Sequence, residues 1–221
     1  MKALGLFLCL LVSAQLETVA QQFSRIYLFE SYVPSQVKLK NRSVTAASAN
    51  YDAANKTMLF RQGDDVMELT HLAQIDTVKI NGRKFVPAEK GFYEVVTVEH
   101  GTLYIDWLLK DVNIGSKGAL GATTQGSVHN LQMTDFGLGT ETYTPYQQQK
   151  LGITDMYRRK NDNTYYIVRQ GKWVKLKTLK HILKAFANHA QEIEAYAKEQ
   201  HLNMREVPDA MTLIDYCLGW E

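Results

Sequence analysis

From about Val37 to Lys110 hydrophobic and polar positions alternate with a period near two, broken at regular intervals by turn-forming residues. Val37–Lys40 and Ser43–Ala46 flank Asn41-Arg42, and Thr57–Phe60 and Val66–Leu69 flank Gln62-Gly63-Asp64. Thr77–Ile80 and Arg83–Val86 flank Asn81-Gly82, and Gly91–Val98 and Thr102–Leu109 flank Glu99-His100-Gly101. Each pair predicts a hairpin, since Val, Ile, Tyr, Phe and Thr suit a pleated, half-buried surface. Asn81-Gly82 is the sharpest of these signals, because a type I′ turn needs two positive-φ residues and Asn-Gly supplies them.

The alternation stops after Lys110. Asp111–Gly152 holds seven of the fourteen glycines and the run Gln147-Gln148-Gln149, with no sustained period. It predicts a long irregular loop or linker, a length that in compact domains goes with function or disorder. Strand patterning resumes at Ile153–Arg158, Tyr165–Arg169 and Trp173–Leu176, a second, smaller β-region with turns at Asn161-Asp162-Asn163 and Gln170-Gly171-Lys172.

The ending is helical. Leu179, Ile182, Leu183 and Phe186 fall at i, i+3, i+4 and i+7, one apolar face, with Lys177, Lys180 and Lys184 opposite. Asn188 and Gln191 have the spacing of a capping box opening a second helix through Ile193, Tyr196 and Ala197. Pro208 fits the first turn of a third, which carries Met211, Ile214, Cys217 and Leu218 on one side. The expected class is α+β: an N-terminal antiparallel β-meander forming a small barrel or sandwich, a long Gly-rich loop, a short β-region and a C-terminal three-helix cluster. The expected divisions are 1–20, 21–110, 111–152 and 153–221.

The division at 1–20 comes from the leader. Met1-Lys2 precedes an apolar run of about ten residues, Ala3–Val12, and small residues end at Ala14 and again at Ala20. That is the layout of a secretory signal peptide cleaved after Ala14 or Ala20, too short for the roughly twenty residues of a spanning helix. Cys9 belongs to the leader, lying mid-run without the small residues of a lipobox, so the mature chain keeps one cysteine, Cys217, and no internal disulfide. Twenty-five basic and twenty-three acidic residues nearly balance, which removes any global attraction for nucleic acid or anionic membrane. Asn41-Arg42-Ser43 and Asn55-Lys56-Thr57 fit the N-glycosylation triplet, which bears on the chain only in a eukaryotic secretory path.

Asn50-Tyr51-Asp52, Met58-Leu59-Phe60, Ile75-Asp76-Thr77-Val78, Arg83–Pro87 and Phe92–Val95, with the lysine-rich ending up to Leu213–Cys217, resemble a group of uncharacterised exported proteins of Bacteroidota bacteria. The resemblance covers most of the chain outside the glycine-rich middle and implies a periplasmic or envelope-associated location. It implies no activity. It also implies a modification site at Thr77, because Asp76-Thr77-Val78 matches the Asp-Ser/Thr-small-or-apolar triplet O-glycosylated in such bacteria.

Motifs for chemistry are sparse. Gly115-Ser116-Lys117-Gly118-Ala119-Leu120-Gly121 has the wrong glycine spacing for a dinucleotide fingerprint, and Gly121-Ala122-Thr123 lacks the lysine of a P-loop. A flexible surface loop is the plainer expectation there. His71, His100, His129, His181, His189 and His201 form no short metal motif, leaving only a site assembled from residues distant in sequence. There is no G-x-S-x-G elbow, and Cys217 reads as a small core residue. No catalytic, metal or cofactor residue is therefore assigned.

Two features point to binding. Phe136, Tyr143 and Tyr146 place aromatics in the irregular stretch, as contact surface or as anchors to the chain's own sheet. Arg158, Arg159, Lys160, Lys172, Lys175, Lys177, Lys180 and Lys184 gather positive charge, as a solvated face or as contact with an anionic envelope component. The expected function is a non-catalytic binding or interaction module of the bacterial envelope, its partner such a component or another envelope protein. The alternative is a glycan-directed hydrolase drawing paired carboxylates from Asp64, Asp65, Glu68, Glu94 and Glu99.

Overall fold

The computed structural model describes residues 25–117, 123–124 and 154–220. Thirteen strands are present among them: β1 (Val33–Leu39), β2 (Val44–Asp52), β3 (Thr57–Gln62), β4 (Asp65–Glu68), β5 (Ile75–Ile80), β6 (Arg83–Pro87), β7 (Phe92–Thr97), β8 (Thr102–Asp106), β9 (Leu109–Lys117), β10 (Thr123–Thr124), β11 (Thr154–Asn161), β12 (Thr164–Arg169) and β13 (Lys172–Lys175). Three helices follow, α1 (Leu179–Ala185), α2 (Ala190–Glu199) and α3 (Val207–Leu218). The chain is α+β, with its helices gathered at the C-terminal end.

Ten strands make one antiparallel sheet in the order β13-β12-β8-β7-β6-β5-β1-β2-β3-β4. Each hairpin expected along the meander forms. At its centre Asn81 and Gly82 take φ values of 47° and 78°, the two positive angles that let β5 turn straight into β6. The sheet stays open, ending at β13 and β4, so of the barrel or sandwich expected from the meander the closed barrel does not form. Charged residues mark both ends: Asp65 and Glu68 on β4, Lys172 and Lys175 on β13, all exposed, as suits edge strands kept from further pairing.

The second β-region is not a sheet of its own. Thr164–Tyr166 of β12 pair with Tyr104–Asp106 of β8, so β12 and β13 extend the meander sheet, while β11 pairs with β9 in a separate three-stranded sheet ordered β10-β9-β11. Local patterning marks strands but not partners, and β8 offers an open edge that later chain can complete. Asp111–Lys117 likewise continue β9 instead of opening an irregular loop. Their partner strand lies some forty residues on, with Asp111 opposite Arg159, whose guanidinium bonds its carboxylate at 3.2 Å. The glycine-rich stretch takes part in this pairing, with Thr123 opposite Lys117 and Thr124 opposite Ser116.

Two apolar clusters hold the fold. One packs Val37, Ala49, Tyr51, Met58, Val78, Ile80, Phe85 and Phe92 between the N-terminal strands. The other packs Leu103, Ile105, Tyr165 and Ile167 of β8 and β12 against Ile182, Phe186, Ile193, Leu213, Ile214 and Cys217 of the helices. Trp107, just past β8, touches both. Helices of seven to twelve residues have little stability alone, so their order comes from this burial. Thr178 caps α1 by accepting from the His181 N–H, and Pro208 sits in the first turn of α3 as expected. The capping box expected at Asn188 does not form: Asn188 belongs to a 3-10 turn, Ala187–His189, and α2 starts at Ala190, with His189 before it making no side-chain cap. No helix among the described residues is long and apolar enough to cross a membrane.

Candidate functional site

Residues paired across neighbouring strands share a face, and so do alternate residues along one strand. This places Leu103, Ile105, Tyr165 and Ile167 on the face under the helices, and Tyr93, Tyr104, Tyr166 and Trp173 on the other, where no helix among the described residues covers them. The four come from four successive strands, β7, β8, β12 and β13. Tyr93 stacks on Tyr166 with centroids 5.1 Å apart and planes 20° from parallel. Trp173 stands edge-on to Tyr104 at 4.6 Å, to Tyr93 at 5.6 Å and to Tyr166 at 6.1 Å.

The tyrosines are half-buried by this packing, and Trp173 keeps 53% of its surface in solvent. Burial beside Tyr166 pushes the Tyr93 hydroxyl up to about 12, so it remains a neutral donor and acceptor at ordinary pH. Val168, opposite Trp173 on β12, is also exposed and widens the apolar surface.

The same face becomes cationic toward the middle of the sheet. Lys84 pairs with Val95 and with Lys79, and Lys79 pairs with Gln36. Lys84 lines two adjoining depressions. One, of about 570 Å³, also holds Thr97, Thr102 and Tyr104; the other, of about 600 Å³, holds Gln36, Lys38, Asp76, Thr77 and Lys79. Asp76 is bound by Lys38 at 2.9 Å, which holds its carboxyl below the usual range. No ion pair among the described residues involves Lys79, Lys84 or Lys175. The face therefore runs from rings beside Lys175 to depressions lined by Lys79 and Lys84.

The lysines expected on the first helix divide. Lys177 bonds Asp162 at 2.7 Å, and Lys110 reaches the same carboxylate at 2.8 Å. Lys177 and Asp162 line a third cavity, of about 480 Å³, with Lys160, Asn163 and Arg205. Lys180 and Lys184 are exposed on α1 and line none of the three. Thr77 is 8% exposed and its hydroxyl donates to Asp76 at 3.3 Å. Phe136, Tyr143 and Tyr146 lie outside the described residues. Cys217 is fully buried, and burial pushes its thiol up to about 12, as for a core residue.

The acidic residues offered for hydrolysis are dispersed. Asp64, Asp65 and Glu68 are exposed around the β3–β4 hairpin. Glu94 takes a bidentate bond from Arg83 and another from the Trp107 indole N–H at 2.6 Å. Glu99 sits in the β7–β8 turn.

The aromatic face escaped the sequence because its members are spread from Tyr93 to Trp173 and meet only through the pairing of β12 with β8. The available signal was the alternation of Tyr93, Tyr104 and Tyr166 with buried neighbours within their strands. No family model matches the chain, and no curated protein or solved structure matches it.

Proposed function

We propose that this chain is a non-catalytic binding module of the bacterial cell envelope, exported like the Bacteroidota proteins it resembles, and that it takes an acidic saccharide chain across the open face of its sheet. The observation that carries the reading is the half-exposed indole of Trp173 held by Tyr93, Tyr104 and Tyr166, with Lys84 and Lys79 beyond it in no ion pair among the described residues. The apolar C–H face of a pyranose ring suits a rigid aromatic surface, which loses little entropy on binding. Carboxylates or sulfates along the same chain suit the lysines, and the two depressions sharing Lys84 give length for several residues.

The hydrolytic alternative needs two carboxyl groups about 5–10 Å apart across the scissile bond, one of them protonated. One acidic residue lines each of the three cavities, and each is bound by a cation: Glu94 by Arg83, Asp76 by Lys38, Asp162 by Lys110 and Lys177; Glu94, opposite Ile105, has its side chain on the face under the helices. That arrangement supports binding over cleavage.

The test is titration of the full chain with a polygalacturonate oligomer and a neutral glucan of matched length. Saturable binding of the acidic oligomer, weakened by Trp173→Ala, is expected. No binding of either sugar sinks the reading, and new reducing ends would turn it to the hydrolase.

A further inference from the structure

We infer that Glu99, His100 and Asp215 form a site for a divalent cation of the zinc class, placed where the β7–β8 turn meets the end of α3. Their ligating atoms lie within 4.8 Å of one another, though Asp215 is 115 residues from His100. One imidazole and two carboxylates make a donor set that zinc accepts.

The geometry of the first two ligands is already close. His100 Nδ1 and Asp215 Oδ1 are 3.2 Å apart. Metal–ligand bonds of about 2.0–2.1 Å in a tetrahedron put neighbouring ligand atoms about 3.3 Å apart. A cation would replace the proton between them with little movement. Glu99, exposed on the turn, closes the remaining distance by a side-chain rotation, and water completes the coordination.

The backbone holds these groups in place without the cation. The His100 N–H donates to Asp215 Oδ1 at 2.9 Å, and the Val98 N–H closes the turn onto the Gly101 carbonyl at 2.9 Å. A Cβ on Gly219 would stand 3.3 Å from the His100 ring, and one on Gly101 would stand 3.1 Å from Leu218. Two glycines thus let the turn lie directly on α3.

Charge favours a cation as well. Two carboxylates face one imidazole, and the last turn of α3 carries no basic residue to offset the partial negative charge of its carbonyl end. The His100 side chain is 44% exposed and that of Asp215 22%, so ions in solution can reach them. The bound ion would tie the meander sheet to the helical cluster. A His100–Asp215 hydrogen bond alone has no use for Glu99, and this separates the two roles.

The experiment is calorimetric titration of the full chain with zinc chloride at neutral pH, with cobalt(II) absorption as a second readout. One site is expected, with a cobalt d–d band and a higher melting temperature when zinc is present. His100→Ala should abolish all three. Glu99→Gln and Asp215→Asn should each weaken binding about tenfold or more, since even groups behind the ligands have effects of that size. Asp215→Asn keeps an acceptor for the His100 N–H, so its loss of binding is not a loss of fold. Absence of binding, or a single site that survives in His100→Ala, overturns the inference.

Discussion

The Trp173 indole meets the Tyr104 ring edge-on at 4.6 Å although β12 lies between their strands. Trp173 therefore reaches diagonally over β12 and is braced by the rings of Tyr166, Tyr104 and Tyr93. Its contribution should fall on binding more than on folding. Trp173→Ala is expected to reduce affinity for the acidic oligomer about tenfold or more, as for an aromatic anchor. It should lower stability by only about 1 kcal/mol, because cross-strand aromatic pairs contribute about 0.2–1 kcal/mol each and the side chain is already half in solvent. Titration and urea unfolding of one preparation measure both.

The cationic half of the face separates from the aromatic half by substitution. Lys79→Glu with Lys84→Glu should weaken the acidic oligomer and flatten the salt dependence of its binding, since exposed charges are screened within about 10 Å at 0.1 M salt. Stability should change by less than about 0.5 kcal/mol, as both side chains are exposed and neither is in an ion pair among the described residues. Unchanged binding, measured at two ionic strengths, would move the ligand off the lysines.

Arg83 and Glu94 call for a different expectation. Glu94 is buried, and the Arg83 guanidinium lies about 5 Å from the ring centroids of both Phe29 and Trp107. Glu94→Gln leaves that guanidinium unpaired among aromatic rings and should cost about 3 kcal/mol. The joint change Arg83→Met with Glu94→Leu removes both charges and should cost less. Urea unfolding of the two variants decides, and the reverse order would show that Glu94 acts mainly through Trp107.

Strands, turns and helices were legible wherever a local rule governs them. Asn81-Gly82 demanded its turn, and Leu179, Ile182, Leu183 and Phe186 demanded an apolar helical face. Partners were not legible, because a period of two records which face a residue takes and not which strand it joins. Thr164–Tyr166 could complete any open edge, and only the folded chain brings them to β8 and so assembles Tyr104, Tyr166 and Trp173. His100 and Asp215 were hidden for the same reason, one in a hairpin turn and one on the last helix. The capping box does not form because Asn188 is drawn into a 3-10 turn, which leaves His189 as the residue before α2.

Gly91 and Gly82 share a left-handed backbone, φ 80° and 78°, in different surroundings. A Cβ at Gly82 meets nothing within 4 Å, whereas one at Gly91 would stand 2.1 Å from the Lys56 carbonyl oxygen. Gly82→Ala should cost only backbone strain, about 1 kcal/mol, and Gly91→Ala that strain plus displacement of the β2–β3 turn, about 3 kcal/mol or more. Lys56 bonds Asp106 through its Nζ at 2.7 Å, so the displaced turn would disturb that pair too. Melting temperatures of the two variants give the comparison.

Asp162 carries the clearest pH dependence. Bonds from Lys110 and Lys177 lower its carboxyl to about 2, against about 3.9 in an unfolded chain. A depressed folded value means that the folded state keeps the charge where the unfolded state has begun to take up a proton. The stabilisation is complete above about pH 5, declines as pH falls through 4 and 3, and is gone below about 2. Its size is limited because both lysines remain partly in solvent, so about 1 kcal/mol is expected at neutral pH. Asp162→Asn should therefore unfold at lower urea than the parent at pH 7, with the two midpoints converging as the pH approaches 2. A difference that persists undiminished at pH 2 would mean that Asp162 acts through packing and hydrogen bonds that survive protonation, with Lys110 and Lys177 contributing nothing by charge.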